Sequence, residues 1–246
     1  MKKRQNIVPI LKIKDLKKSF GENHVLNGFS LNLYDAENLI LMGKSGSGKS
    51  VMIKCVVGLM QADSGTIEIM GKDITSLSHK EFNNLRTQIG FLFQGSALYD
   101  SMTVRENLEF PLRKFPEYAK KSEQLVLEAL ESVGLQSAID LMPEELSGGM
   151  KRRIALARAI ILRPKIIIYD EPTTGLDPIT SKEIIELMKG IQHKFKTSSL
   201  IITHDMDCSR VISNRMVLLI DGINYIEGTY TELAASKDKK VQEFFK

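Results

Sequence analysis

LILMGKSGSGKSVMI, from Leu39 to Ile53, changes character twice. Leu39-Ile40-Leu41-Met42 is a short apolar run suited to a buried strand. It stops at a glycine-rich turn, and Val51-Met52-Ile53 then opens a helix. The turn itself, Gly43-Lys44-Ser45-Gly46-Ser47-Gly48-Lys49-Ser50, fits GxxxxGK[ST] at every fixed position. Strand, loop and helix in that order are the context that gives this pattern its meaning. Glycines let backbone N–H groups close around phosphate oxygens with no Cβ in the way. Lys49 then puts a positive charge on the β- and γ-oxygens, and the Ser50 hydroxyl is a ligand for Mg²⁺. The stretch predicts a nucleoside-triphosphate site.

Outward from this loop, Leu11 and Ile13 alternate with polar residues, as do Phe29, Leu31 and Leu33, which predicts half-buried strands. Thr66-Ile67-Glu68-Ile69 and the segment around Ile74 flank Met70-Gly71-Lys72-Asp73, the pattern of a hairpin. From about Ser96 to Leu146 helix formers dominate. Thr103 is a candidate cap there, and Pro116 could open a helix with Leu127, Leu130 and Val133 as its apolar stripe. Buried runs return at Ile166–Tyr169, Leu200–Ile202 and Val217–Ile220. Asp177 and Pro178 announce a helix between the first two. Apolar strands alternating with helices indicate a mostly parallel core sheet. The expected architecture is α/β, with an antiparallel β subdomain at the N-terminal end and an inserted helical subdomain. Its parts are 1–95 (β subdomain and phosphate-loop part of the core), 96–146 (helical) and 147–246 (the rest of the core).

Composition narrows the class. The chain has 246 residues, 43% hydrophobic and 26% charged, with a formal net charge of +4. So small a surplus gives little support to nucleic-acid binding. No apolar run approaches the ~20 residues that cross a bilayer. The basic tip Met1-Lys2-Lys3-Arg4 has no apolar stretch behind it, so it is not a secretory signal. Cys55 and Cys208 lie far apart without metal spacing, as expected of reduced thiols in an intracellular protein.

A second chemical group follows a strand. Asp170-Glu171-Pro172 comes directly after Ile166–Tyr169, and carboxyl ends of strands are where α/β sheets bind ligands. Asp170 can hold Mg²⁺ through a water, and Glu171 can accept a proton from an attacking water. Gln94 follows the apolar Ile89–Phe93, where its amide could touch both metal and lytic water. His204 follows Leu200–Thr203 and could donate a hydrogen bond to a γ-phosphate. Taken singly, each of these would be a polar residue ending a strand.

Glu145-Leu146-Ser147-Gly148-Gly149-Met150 supplies another phosphate-seeking helix start, with no lysine beside it. With the phosphate loop, Gln94, Asp170-Glu171, Thr174-Gly175-Leu176-Asp177 and His204, in that order along the chain, it resembles the ATP-binding-cassette ATPase family over about Leu11 to Gly228. The resemblance implies the cofactors ATP and Mg²⁺, the metal held by Ser50, Gln94 and Asp170. It implies that Phe20 stacks on adenine. It also implies a head-to-tail homodimer in which Ser147, Gly148 and Gly149 reach the γ-phosphate held by the other subunit's Lys49, and Asp177 links the two sites. The chain would work at the cytoplasmic face of the cell membrane beneath an integral membrane permease.

Finer wording, in Phe93–Leu98, Pro111-Leu112-Arg113, Leu141-Met142-Pro143, Met150 and Asp177-Pro178-Ile179-Thr180, resembles the branch serving the maintenance-of-lipid-asymmetry system. That branch moves phospholipid with an MCE-domain substrate carrier. Amino-acid, metal-chelate and cell-division systems remain alternatives, as does a soluble non-transport cassette. Some members brace the dimer with a longer tail than Phe244-Phe245-Lys246, so neither such bracing nor a small regulatory partner is expected here. Lys151, Arg152 and Arg153 are either a solvated basic face or specific contacts.

Overall fold

The computed structural model describes residues 8–245; the basic tip at Met1–Arg4 and the final Lys246 lie outside them. The chain begins with β1 (Leu11–Phe20), β2 (Asn23–Leu33), β3 (Asn38–Met42), α1 (Lys49–Val56), β4 (Ser64–Ile69), β5 (Lys72–Asp73) and α2 (His79–Arg86). Next come β6 (Ile89–Leu92), α3 (Val104–Glu109), α4 (Ser122–Val133), α5 (Gly148–Ile160), β7 (Ile166–Asp170) and α6 (Pro178–Phe195). It ends with β8 (Ser198–Ile202), α7 (Met206–Ile212), β9 (Arg215–Ile220), β10 (Ile223–Gly228), α8 (Tyr230–Ala234) and α9 (Lys239–Gln242). These elements form two compact units, one running up to Arg86 and resuming at Ser198, the other Thr87–Thr197. The helical stretch expected over 96–146 lies wholly within the second.

The first unit carries the antiparallel sheet in the order β2-β1-β4-β5. Leu11, Ile13 and Leu16 of β1 are buried, yet their spacing breaks the period of two. The register shifts between Ile13 and Leu16, where Asp15 sits at φ 49° and its N–H donates to Ser30 Oγ at 2.9 Å. An extra residue at that bulge turns Leu16 back toward the core. The hairpin also differs from expectation. Met70 and Gly71, at φ 51° and 74°, form a two-residue turn, and Lys72 and Asp73 are strand residues paired with Ile69 and Glu68. Two consecutive positive φ values give the twist that suits a tight hairpin.

β3 lies between β8 and β9 and is parallel to both, with Leu39 opposite Leu200 on one side and Arg215 on the other. All five residues of β3 are buried, as a strand covered on both faces requires. β10 returns antiparallel along β9. Below this group Glu37, 5% exposed, is gripped by Arg215, whose Nε and Nη2 donate to its two oxygens at 2.9 and 3.1 Å. Arg215→Met would leave that carboxylate buried with the Tyr34 N–H, 2.9 Å away, as a remaining donor. The expected loss of stability is at the lower end of the range for breaking buried pairs, about 3 kcal/mol. A urea titration reads it, and an unchanged midpoint would show the pair to be idle.

In the second unit β6 and β7 run parallel, Ile89 opposite Ile166 and Leu92 opposite Tyr169. α5 is covered almost all round, packing against α3, α4, α6 and β6. It approaches β6 closely because residue 90 is glycine: a Cβ there would stand 2.3 Å from the Ala159 carbonyl oxygen. Thr103 caps α3 as expected, in a reciprocal box with Glu106. Pro116, by contrast, opens a 3₁₀ segment, Pro116–Lys121, and α4 starts only at Ser122. Leu130 and Val133 are buried on α4 together with Leu125, Val126 and Ala129, but Leu127 is 45% exposed, so the buried stripe runs through different positions from those expected.

Candidate nucleotide site

Within the first unit, the phosphate loop leaves the end of β3 and enters α1 at Lys49. Gly48 at φ 102° is the cap of that helix, a conformation in which a Cβ would lie 2.9 Å from Val25 Cγ1. A Cβ on Gly43 would meet Ser47 Oγ at 2.5 Å and the Leu219 carbonyl oxygen at 2.8 Å. Lys49 Nζ donates to the carbonyls of Gly43 at 2.6 Å and Lys44 at 2.9 Å, so its ammonium holds the loop curled. Ser47 Oγ is buried without a hydrogen-bond partner. A tight glycine cradle, a fixed ammonium and an orphaned hydroxyl fit a bound phosphate chain. Ser50 is exposed in the first turn of α1. Beside the loop, Lys44–Ser47 line a cavity of about 580 Å³ together with Val25, Asp221 and Phe244. Lys44 Nζ also reaches Glu243 at 2.6 Å, both side chains being exposed. Phe20, at the tip of β1, is 49% exposed, and Lys18 Nζ lies 5.7 Å from its ring centroid. It is not among that cavity's lining residues.

Parallel pairing decides where His204 sits. Leu41 of β3 lies opposite Ile202 of β8. Gly43 and His204 therefore leave neighbouring strands at the same end, two residues beyond that pair. Thr203 is buried and its Oγ1 accepts the Asp205 N–H at 3.0 Å, whereas His204 is exposed.

The second unit repeats the arrangement. Gln94 and Glu171 each stand two residues beyond the paired Leu92 and Tyr169. Gln94 is exposed, and Asp170 and Glu171 are half-buried. Glu171 takes φ 50°, and its Oε2 accepts a hydrogen bond from Thr174 Oγ1 at 3.0 Å. Ser96 and Ala97, just past Gln94, are also left-handed, at φ 62° and 49°. Such backbone in non-glycine residues costs on the order of 1–3 kcal/mol each and persists where the surroundings fix it. Ser147 caps α5, its Oγ accepting the Met150 N–H at 3.2 Å, so Gly148 and Gly149 are the first helical residues. A Cβ on Gly149 would come within 2.8 Å of Thr180 Cγ2, at the start of α6. Asp177 caps α6: Oδ1 accepts the N–H groups of Ile179 and Thr180 at 3.0 Å, and Oδ2 the Thr180 hydroxyl at 2.5 Å. Those bonds, the Thr180 hydroxyl foremost, hold its carboxyl below the ordinary carboxylate range.

Residues 26–174 match the family model described as ABC transporter. The chain belongs to that family. It is 38% identical to the methionine import ATP-binding protein MetN of Clostridium tetani over 213 residues, 87% of this chain and 67% of that protein. It is 37% identical to a Mycobacterium leprae protein named "Probable ribonucleotide transport ATP-binding protein mkl", over 95% of this chain and 68% of the other. The chain thus spans about two thirds of the length of these curated relatives. Among solved structures, the ATP-binding cassette MJ0796, in a dimeric post-hydrolysis state bound to ADP and Pi, superposes with a TM-score of 0.79 at 32% identity. That match covers 89% of this chain and 98% of the other.

In this ABC ATPase, Ser50 of the first unit offers a hydroxyl, and Gln94 and Asp170 of the second an amide oxygen and a carboxylate, each a hard oxygen donor of the kind Mg²⁺ takes. The sequence reading missed what holds two of the loops. Arg152 is buried at 4% exposure, and its Nη1 and Nη2 donate to the carbonyls of Phe93 at 2.9 Å and Thr174 at 3.2 Å. Arg158 Nη2 donates to the Ser96 carbonyl at 3.0 Å. Arg153, in contrast, pairs with the exposed Glu183 at 2.5 Å. The basic run therefore divides: Arg152 is interior and its neighbour Arg153 is half-buried, reaching out to an exposed carboxylate. Only the place of Arg152, three and four residues before the buried Ala155 and Leu156 of α5, offered any hint.

Proposed function

We propose that this chain is the ATP-hydrolysing subunit of a transporter, working as a head-to-tail homodimer beneath an integral membrane permease at the cytoplasmic face of the membrane. One observation carries the hydrolytic reading: Glu171 is held in a left-handed turn by Thr174, directly after the metal-side Asp170. In the proposed cycle the N–H groups of Gly43–Ser50 and the Lys49 ammonium grip the phosphates, and Glu171 takes the proton of the attacking water. Mg²⁺ supplies charge neutralisation at the phosphate oxygens. His204 donates to the γ-phosphate, and Gln94 senses both metal and water. Ser147, Gly148 and Gly149 close on the γ-phosphate of the other subunit, and Phe20 lies against the adenine.

The permease seat is supported by a groove of about 410 Å³ in the second unit, lined by Phe91, Phe93, Tyr99, Phe110, Pro111 and Arg158. Its rings pack in tilted pairs, with the centroids of Phe91 and Phe93 4.2 Å apart and those of Tyr99 and Phe110 4.8 Å apart. An aromatic groove next to Gln94 suits an inserted helix from a membrane partner. Among the described residues no helix is long and apolar enough to cross a membrane.

Phospholipid is the proposed cargo, carried with an MCE-domain partner. Met150 after the two glycines, together with the wording of Phe93–Leu98 and Asp177–Thr180, is most like MlaF, the ATPase of the lipid-asymmetry system. The names of the similar relatives favour a second reading, an amino-acid system. Tagging the chain, extracting it from its own membrane and analysing the co-purifying proteins and lipid separates the two. Recovery of a permease with an MCE-domain protein and bound phospholipid is expected. Recovery of an amino-acid permease and its binding protein would overturn the lipid assignment.

A further inference from the structure

We propose that Arg152 is a positioning residue for hydrolysis, its guanidinium tying the loop that carries Gln94 to the loop that carries Glu171. The proposal rests on the roles assigned above to those two residues. Arg152 lies in α5, five positions after Ser147, and is 4% exposed. Burying a guanidinium is unfavourable unless its donors are used. Among the described residues no carboxylate forms an ion pair with it, and its Nε is buried without a partner. What it holds instead is two main-chain carbonyls, both in loops at strand ends.

Both carbonyls are adjacent to chemistry. Phe93 immediately precedes Gln94, so the 2.9 Å bond from Nη1 fixes where that side chain leaves the backbone. Thr174 receives Nη2 at 3.2 Å on its carbonyl, while its own Oγ1 donates to Glu171 Oε2 at 3.0 Å. One planar fork thus reaches the glutamine's loop directly and the carboxylate through a single intervening residue. A lysine offers one compact ammonium in place of the two-pronged planar fork, so it is the poorer bridge between the two carbonyls. The held segments are the strained ones, with left-handed Ser96, Ala97 and Glu171. Arg158 secures the far side of the first loop through Ser96. Movement of the Gln94 loop would therefore pull on the same guanidinium that steadies Thr174 and, through it, Glu171.

A purely structural pin would lower stability and leave each folded molecule fully active, whereas a positioning residue sets the geometry of the reacting groups. Displacing a catalytic group by about 1 Å costs on the order of 10²-fold in rate. The test uses the full chain, with kcat and KM for MgATP, nucleotide affinity and the thermal midpoint measured for Arg152→Met, Arg152→Lys and Arg153→Met. Arg152→Met is expected to lower kcat by about tenfold or more, with KM and nucleotide affinity within about twofold. Arg152→Lys should recover part of that loss, and Arg153→Met, which removes the pair to Glu183 and no bond to either loop, should leave kcat unchanged.

A kcat for folded Arg152→Met within about twofold of the parent would overturn the proposal. So would parallel losses of kcat and nucleotide affinity. Should the methionine variant fail to fold, full kcat in Arg152→Lys overturns it equally, and a reduced kcat at unchanged KM supports it. Glu171→Gln assayed alongside separates the two levels. If that variant keeps full turnover, the base assignment itself fails; if it is dead while Arg152→Met is unaffected, only the positioning role fails.

Discussion

Glu171→Gln is expected to reduce steady-state ATP hydrolysis by about 10²–10⁴-fold, the usual worth of a general base, with nucleotide affinity nearly unchanged. Glutamine is close to isosteric, so an amide oxygen still accepts the Thr174 hydroxyl that now sits 3.0 Å from the carboxylate. The turn is kept and only the basic oxygen is lost. The phosphate cradle belongs to other elements, Gly43–Ser50 running from the end of β3 into the first turn of α1, and keeps its own hydrogen bonds. With ATP bound but not consumed, whatever conformation ATP favours must accumulate, because a ligand shifts an equilibrium by its differential affinity for the two states. On the dimer reading that conformation is the closed pair, visible by size-exclusion chromatography in MgATP. Phosphate release measures the first effect, and robust multiple turnover by the variant would remove Glu171 from the role of base.

Much of this site was legible because its residues follow strands whose burial is written in composition. Leu39–Met42, Ile166–Tyr169 and Leu200–Ile202 are continuous apolar runs, and in the structure all are buried. Parallel pairing then fixes which strand ends lie side by side, placing Gly43 with His204 and Gln94 with Glu171. What escaped depends on backbone geometry and on side chains reaching back to carbonyls. The bulge at Asp15 depends on a left-handed backbone and on the Ser30 hydroxyl across the sheet, neither of which the alternation of Leu11 and Ile13 carries. Met70 accepts a left-handed turn position that sequence preference would give to asparagine or glycine. The burial of Arg152 depends on carbonyls of residues 93 and 174, far from it in the chain, and local periodicity carries no trace of them.

Mixing two inactive variants should restore hydrolysis if each nucleotide is shared between chains. Lys49→Ala removes the ammonium that holds the phosphate loop curled, and such a chain binds nucleotide poorly. Ser147→Arg places a bulky cation at the start of α5 and removes the cap to the Met150 N–H, a local cost of about 1 kcal/mol. The phosphate loop of that second variant is intact, so it should still bind ATP. Neither variant alone has a complete composite site, since every site in its homodimer lacks either the lysine or the serine. In a mixed dimer one site pairs the intact loop of the Ser147→Arg chain with the intact Ser147 of the Lys49→Ala chain. The other site carries both defects. With equal assortment and independent sites, the mixture recovers roughly a quarter of parent turnover, a consequence of the isologous pairing. The recovered rate should also fall faster than linearly on dilution, since the working site exists only in the dimer. No recovery at concentrations where the parent is dimeric would mean that each chain completes its own site, and the role of Ser147 toward a second subunit would be lost.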